Sequence, residues 1–593
     1  MRRRFIYIIV AFVLPLCAIS QYFITGKITD DEGRILPKVN IILHSTKFVY
    51  QNGNGGEFGI PSSKKNDSVT CYLQGYDTTK MALVAGQKNT IVMKATSLTK
   101  YERISRLSSL TNNLFKDPGF TRNVFDETYS NMVENDFVNA TRYPVTGFSL
   151  NVNKASYSNV RRFINSKTIM PTDAVRIEEM LNYFTLSCTP PPVGKDVFNL
   201  ETRVSSCPWN DANLLLFINM QARKMDLDKV PPSNLVFLID DSGSMDMPNR
   251  LPLLKAAFRM LVNNLRNTDT VTIVTYGGTA GVMLQPTSGA EKQKIIEAIE
   301  GLTPGGSTPG SSGLKMAYEI AKNNFIKDGN NRVILATDGD FNVGQTNEKE
   351  LEALITAYRN TGIFLTCLGV GMGNYKDSKL QVLAKFGNGN FSYIDNEREA
   401  EKVLVTEFTQ TVVSIAGDVF LSLDFNKDWV EQYRLIGFDN KLESVTDSTS
   451  ILEGGEIGSG HSLMAMVEIV PAKKLRTDWL NNPTAAIGQI KLQYKIPAMS
   501  KPELISKPVL LNYSAFTGLE RQLRFATAVA MFGQLVKQSR FAANYDFDLV
   551  NAIATDAAAP KDLLQQEFLK MVQDAKKIYA KDDGKKKKKK IKD

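Results

Sequence analysis

Two rhythms of apolar and polar residues divide this chain. From Tyr22 to about Lys94 they alternate in short runs, FITGKI, KVNIIL, SVTCYL and NTIVMK, broken by turn text at Asp30-Asp31-Glu32-Gly33 and Gly55-Gly56-Glu57-Phe58. A period of two puts one face of each strand in a core and the other in water, which predicts a small antiparallel β-sandwich over residues 21–95. From Ser233 to Val412 the rhythm changes. Unbroken apolar runs at Leu235 to Ile239, Thr270 to Tyr276, Arg332 to Thr337, Ile363 to Gly369 and Phe391 to Ile394 alternate with stretches of helical period. Those helices are expected near 251–265, 290–301, 313–324, 349–361, 378–386 and 397–408. Strands without polar alternation are buried on both faces, as in a parallel sheet, so residues 233–412 read as a doubly wound α/β domain with its ligand site outside the strand carboxyl ends.

The flanks read differently. Residues 131–232 show helical period at Asn159 to Asn165 and Asp173 to Phe184, then strand text in FNLETRV and NLLLFINMQA. Residues 413–515 return to strands, DVFLSLDFN, YRLIGFDN, SLMAMVEIV and AIGQIKLQYKI, with a glycine-rich loop, Gly454 to His461, between the second and third. Strand text on both sides predicts that the α/β domain is inserted into a β-sandwich built from both flanks. Amphipathic helices are expected within 516–580, at Arg524 to Ser539 and Asp562 to Tyr579. Residues 96–130, rich in Ser, Asn, Lys and Thr without sustained period, read as a linker. The whole is a multidomain α/β plus all-β chain, too long at 593 residues for one core.

Composition adds the compartment. Arg2 to Arg4, the apolar run Phe5 to Leu16 and Ala18-Ile19-Ser20 before Gln21 make a cleaved secretory signal over residues 1–20, with Cys17 as the weaker lipoprotein alternative. Export places the protein in the periplasm or at the cell surface. The formal charge of +9 falls to +6 without the signal, and the tail 581–593, with eight Lys against three Asp, carries nearly all the rest. Basicity confined to the ends argues against nucleic acid. Lys585 to Lys590 form either a solvated tail or an electrostatic contact to anionic lipid, polysaccharide or an acidic partner. Cys71, Cys188, Cys207 and Cys367 are too scattered for a zinc site; a Cys188 to Cys207 disulfide is open, and Cys367 reads as a core residue.

The chemistry is at the end of LVFLIDDSGSM. Asp240, Ser242 and Ser244, spaced by two around Gly243, place three oxygens on one tight loop, a hard donor set suited to Mg²⁺ or Mn²⁺ and, more loosely, Ca²⁺. The same residues alone also suit a helix cap. The pattern resembles the metal-ion-dependent adhesion site (MIDAS) of von Willebrand factor type A (VWA) domains. That resemblance implies two more ligands, Thr308 in the loop Gly305 to Gly310 and Asp338 after the strand Arg332 to Thr337, and none at Asp340. Residues 21–95 resemble a carboxypeptidase-regulatory-like, transthyretin-like domain, with Gly26, Gly33, Pro37, Phe58 and Gly75-Tyr76 as landmarks. The segments beside the VWA domain resemble those of a family of exported bacterial proteins. Asn151-Val152-Asn153 stands where that family tends to carry Asp-Val-Asp, so any second cation held there is lost.

The resemblance implies a binding or scaffold protein rather than an enzyme, with an acidic side chain of a protein partner completing the metal's shell. The alternative is a metal-dependent hydrolase. With only His44 and His461 in the chain and no H-E-x-x-H, G-x-S-x-G or P-loop motif, the sequence offers that chemistry little machinery. Oligomeric state is not legible.

Overall fold

The computed structural model describes residues 22–94, 127–130, 134–408, 413–438, 455–472, 483–496 and 501–590, apart from 32, 54, 74–75, 151–152, 187–188, 195, 227–229, 278–279, 307–309, 340–347 and 374, and for 581–590 the backbone alone. The expected signal segment, most of the linker, Asn151, Cys188, Thr308 and Asp340 lie outside the described residues. Contacts divide the chain into two units, residues 1–121 and 122–593.

The first unit holds seven strands in two sheets. One has the order Glu57–Ser62, Tyr22–Asp30, Lys88–Met93; the other Val49–Gln51, Asn40–Leu43, Asn66–Tyr72, Thr79–Val84. Alternate residues Ile24, Ile28, Ile41, Leu43, Val69, Cys71 and Ile91 close a core between them. Asn89 ties the sheets together, donating to the carbonyls of Thr25 and Val84 and accepting from Val84 N. Two expectations need correction. Glu57 and Phe58, read as turn, open a strand. The unit is not wholly antiparallel, because Lys88–Met93 runs parallel to Tyr22–Asp30.

In the second unit the central sheet has the order Gly281–Ser288, Thr270–Tyr276, Ser233–Asp240, Asn330–Thr337, Ile363–Val370, Phe391–Ile394. Five strands are parallel. Gly281–Ser288 is an antiparallel edge strand unseen in sequence, where Pro286 argues against a strand except at an edge. Helices Leu251–Asn263, Lys292–Glu300 and Glu397–Glu401 cover one face, and Gly310–Asn323, Glu348–Asn360 and Asp377–Phe386 the other.

The flanks form two further sheets. Phe198–Cys207 and Asn210–Ala222, before the central sheet, continue into Ser462–Pro471 and Val430–Ile436, after it, with Val138–Asn139 and Tyr513–Ser514 at the edges. Facing them, Ser414–Phe425, Ala486–Lys495, Glu503–Leu510 and Gly455–Gly458 share a second sheet with Val145–Ser149, over a common apolar core. The stretch 417–496 is therefore divided between both sheets, and Gly455 to Gly458 is strand where a loop was expected. Asn210–Ala222 is buried on both sides: Leu214, Leu216 and Ile218 face the sandwich core, Leu215 and Phe217 a helical layer. That layer comprises Ala155–Asn165, Ile177–Leu181, Arg521–Val536, Phe547–Ala557 and Leu563–Lys590. Phe547–Ala557, capped by Asp546 on the N–H groups of Asp548 and Leu549, was not foreseen, and the backbone of the lysine run continues the last helix. Asp173 to Phe184 is shorter than expected, a 3₁₀ turn at Thr172–Ala174 and one helix, Ile177–Leu181. Cys207 and Cys367 are buried free thiols. Among the described residues no helix is long and apolar enough to cross a membrane.

Buried arginines join the flank helices to the central domain. Arg176, fully buried, donates to Glu179 at 2.6 Å and to Asp377 at 2.7 Å. Arg161 reaches Asp395, Glu399 and, at 2.8 Å, Glu567 of the last helix. Asn153 accepts from Phe391 N at 3.0 Å, so its amide closes the edge of the central sheet. Glu178, beside this cluster, is different: burial first, then the charge of Glu179, raises its pKa to about 7. A raised carboxyl stabilises the fold below its ordinary value of 4.5, and that contribution is lost as pH rises through 7. Glu178→Gln should therefore match wild type in urea unfolding at pH 4.5 and exceed it by about 3 kcal/mol at pH 8.5; equal stabilities at pH 8.5 would contradict the burial cost assigned here.

Candidate functional site

The central strand Ser233–Asp240 is buried at every position and pairs in parallel with a strand on each side. Its register sets Asp240 beside Tyr276 and Ile239 beside Ala336, so three strand ends deliver polar side chains to one place. Asp240 is 1% exposed. Its Oδ2 accepts from Thr337 Oγ1 at 2.8 Å and Tyr276 Oη at 3.1 Å, and its Oδ1 from the N–H of Ser242 at 3.0 Å. Those donors hold the carboxylate in one orientation. Ser242 and Ser244 bring their hydroxyls within 3.1 Å of each other. The loop can turn this tightly because Gly277 lacks a side chain: a Cβ there would sit 2.3 Å from Ser242 N.

Burial pushes the Asp240 carboxyl up to about 6, with the charge of Asp338 adding to the shift and the Ser242 and Thr337 donors opposing it. Asp338 is fully buried. The glycine loop is brought in by backbone bonds, Gly305 N to Asp241 O at 2.6 Å and Gly243 N to Gly306 O at 3.3 Å. Of the five residues expected as ligands, Asp240, Ser242, Ser244 and Asp338 stand at the same end of the sheet. Thr308, two residues past Gly306, is outside the described residues.

Among the described residues no group of three or more His, Cys, Asp and Glu gathers to hold a metal ion. The donors here are instead two carboxylates and two hydroxyls, which as oxygen groups suit Mg²⁺ or Mn²⁺ and would need Thr308, water or a partner to complete six ligands. The mutual repulsion of Asp240 and Asp338 is relieved by a residue that the sequence reading did not name. Arg250 Nη1 donates to Asp338 Oδ2 and to the carbonyl of Ser244, both at 2.5 Å, and Nη2 to the carbonyl of Met372 at 3.0 Å. One signal was available: a cation just before the helix Leu251–Asn263 opposes the helix dipole, so it needs another purpose. Thr337 and Tyr276 were also missed, since each reads as the last residue of a buried strand. His461 lies elsewhere in the chain's electrostatics, its pKa lowered to about 3 by burial and by Lys154 and Lys402, with Glu407 opposing.

The profile of the von Willebrand factor type A domain matches residues 235–340, the stretch that holds this loop and most of the doubly wound sheet, so the chain is a VWA domain protein. A profile described as von Willebrand factor matches residues 123–217, and one described as "Uncharacterized protein YfbK, C-terminal" matches residues 410–578. The chain is 33% identical over 509 residues to "Uncharacterized protein YfbK" of Escherichia coli (strain K12), covering 81% of this chain and 88% of that protein. It belongs to the YfbK family. "Uncharacterized protein sll0103" of Synechocystis sp. is 25% identical over 314 residues, 51% of this chain and 71% of that one. The solved "von Willebrand factor type A from Catenulispora acidiphila" is 16% identical with a TM-score of 0.39, over 66% of this chain and 91% of that one. VWA domains commonly mediate protein–protein interaction and are mostly non-enzymatic.

The charge balance gives Asp338 a part in the metal-free fold. Two bare carboxylates would make Asp338→Asn harmless to the metal-free fold, but the change leaves a buried guanidinium without its carboxylate. Asp338→Asn should cost about 3 kcal/mol in urea unfolding in EDTA; stability equal to wild type would show that Arg250 does not depend on this pair.

Proposed function

We propose that this is an exported scaffold or adhesion protein of the cell envelope that grips an acidic side chain of a protein partner through a divalent cation. Asp240, Ser242, Ser244, Thr308 and Asp338 would hold Mg²⁺ or Mn²⁺. The observation that carries the reading is the convergence of Asp240, Ser242, Ser244 and Asp338 at the carboxyl ends of two adjacent parallel strands. A hard cation among oxygen donors keeps a position for one more oxygen, and a partner carboxylate neutralises its remaining charge. The cation-binding domain is, on this reading, an insert in a sandwich made by both flanks. The first unit acts as a transthyretin-like spacer or docking module that the cation site does not require. Residues 1–20 direct export.

The test is a cross-linked capture from the cell envelope with wild type and Asp240→Ala, in Mg²⁺ and in EDTA, alongside Mn²⁺ calorimetry. Wild type should bind Mn²⁺ and retain a partner only with the metal, and Asp240→Ala should lose both. Capture that ignores EDTA would reject the reading. Mg²⁺-dependent peptidase or phosphatase turnover abolished by Asp240→Ala would replace it with a hydrolase.

A further inference from the structure

We propose that Arg250 tunes the site toward its partner: its fixed positive charge weakens the hold on the cation and strengthens the hold on the partner's carboxylate. This rests on the reading of Asp240, Ser242, Ser244 and Asp338 as a metal centre.

The geometry makes Arg250 a permanent part of the site. Its side chain is 7% exposed and clamped at both ends of the guanidinium, Nη1 between Asp338 Oδ2 and the Ser244 carbonyl, Nη2 on the Met372 carbonyl. Room for it is built into the loop after Ile363–Val370. Gly371 has φ +77°, and a Cβ there would lie 2.5 Å from Arg250 Nε. An arginine stays charged at any working pH, so the group cannot step aside by losing a proton.

Charge then decides the consequence. Asp240 and Asp338 ionised contribute two negative charges, and a dication alone would bring the site to neutrality. With the guanidinium counted, the loaded site retains one positive charge. Inside a buried rim that excess repels the cation it sits beside and attracts an incoming anion. The two effects have opposite signs, which separates this role from a merely structural one: loss of a positioning contact would weaken both bindings together.

The experiment uses the full chain as wild type, Arg250→Gln, Arg250→Met and Arg250→Lys, each prepared with Mn²⁺, which neutralises Asp338 where the guanidinium is missing. Mn²⁺ affinity is measured by calorimetry after dialysis. Carboxylate affinity is measured with acetate, read as the fall in water-proton relaxation when acetate displaces water from bound Mn²⁺. Arg250→Gln and Arg250→Met should bind Mn²⁺ about tenfold tighter and acetate about tenfold more weakly, and Arg250→Lys should stay near wild type on both scales. Two neutral variants are used so that misfolding of one, seen by near-ultraviolet circular dichroism, leaves the comparison standing. Neutral variants that bind Mn²⁺ no tighter, or that lose affinity for both probes, overturn the proposal. A wild type that binds no Mn²⁺ overturns the metal-centre reading beneath it, a result distinguishable because it appears before any variant is compared.

Discussion

Arg176 cannot leave the interior without taking two carboxylates out of balance. It is fully buried between Glu179, in its own flank, and Asp377, at the start of a helix of the central domain. Removing one partner from such a pair leaves an uncompensated charge in a low-dielectric interior, which costs several kcal/mol, whereas the intact pair adds little net stability over an apolar contact. What the pair supplies is a single arrangement. Arg161 with Asp395 and Glu399, and Arg332 with Glu456, repeat the device at other points of contact between the flanks and the central domain.

A further contact between flank and central domain approaches the candidate site. Glu127 accepts from Arg162 on one side and from the N–H of Gly373 on the other, at 2.7 Å in each case. Met372, the residue before, gives its carbonyl to Arg250, which in turn holds Asp338. Charge neutralisation therefore runs through hydrogen-bonded groups from the flank helix to the strand end. The carboxylates at the sheet's rim are oriented by neighbours, Thr337 and Tyr276 for Asp240 and Arg250 for Asp338, and each neighbour belongs to a different strand or loop.

The likeness that defines membership of the YfbK family spans 81% of this chain, well beyond the central domain. The matched regions cover the segment before the central sheet, four of the sheet's six strands and the segment after it. The loop after Ile363–Val370 is held from two sides, Met372 by Arg250 and Gly373 by Glu127.

The unbroken apolar runs of the central strands were legible in the sequence, because a strand covered on both faces has no polar positions to spare. So was the loop Asp240 to Ser244, whose oxygens follow at once in the chain. Gly281–Ser288 was not, since an edge strand needs few apolar residues and tolerates Pro286. Nor were Phe547–Ala557 and the parallel return of Lys88–Met93, which depend on neighbours rather than on local period. At the site, sequence alone determined which oxygens share one loop, because residues two apart stay close whatever the fold. Only the tertiary structure decided that Arg250 balances Asp338 across 88 residues and that Thr337 and Tyr276 orient Asp240. Such pairings are set by strand register and by the cost of burying a charge alone, and neither leaves a periodic mark in the chain.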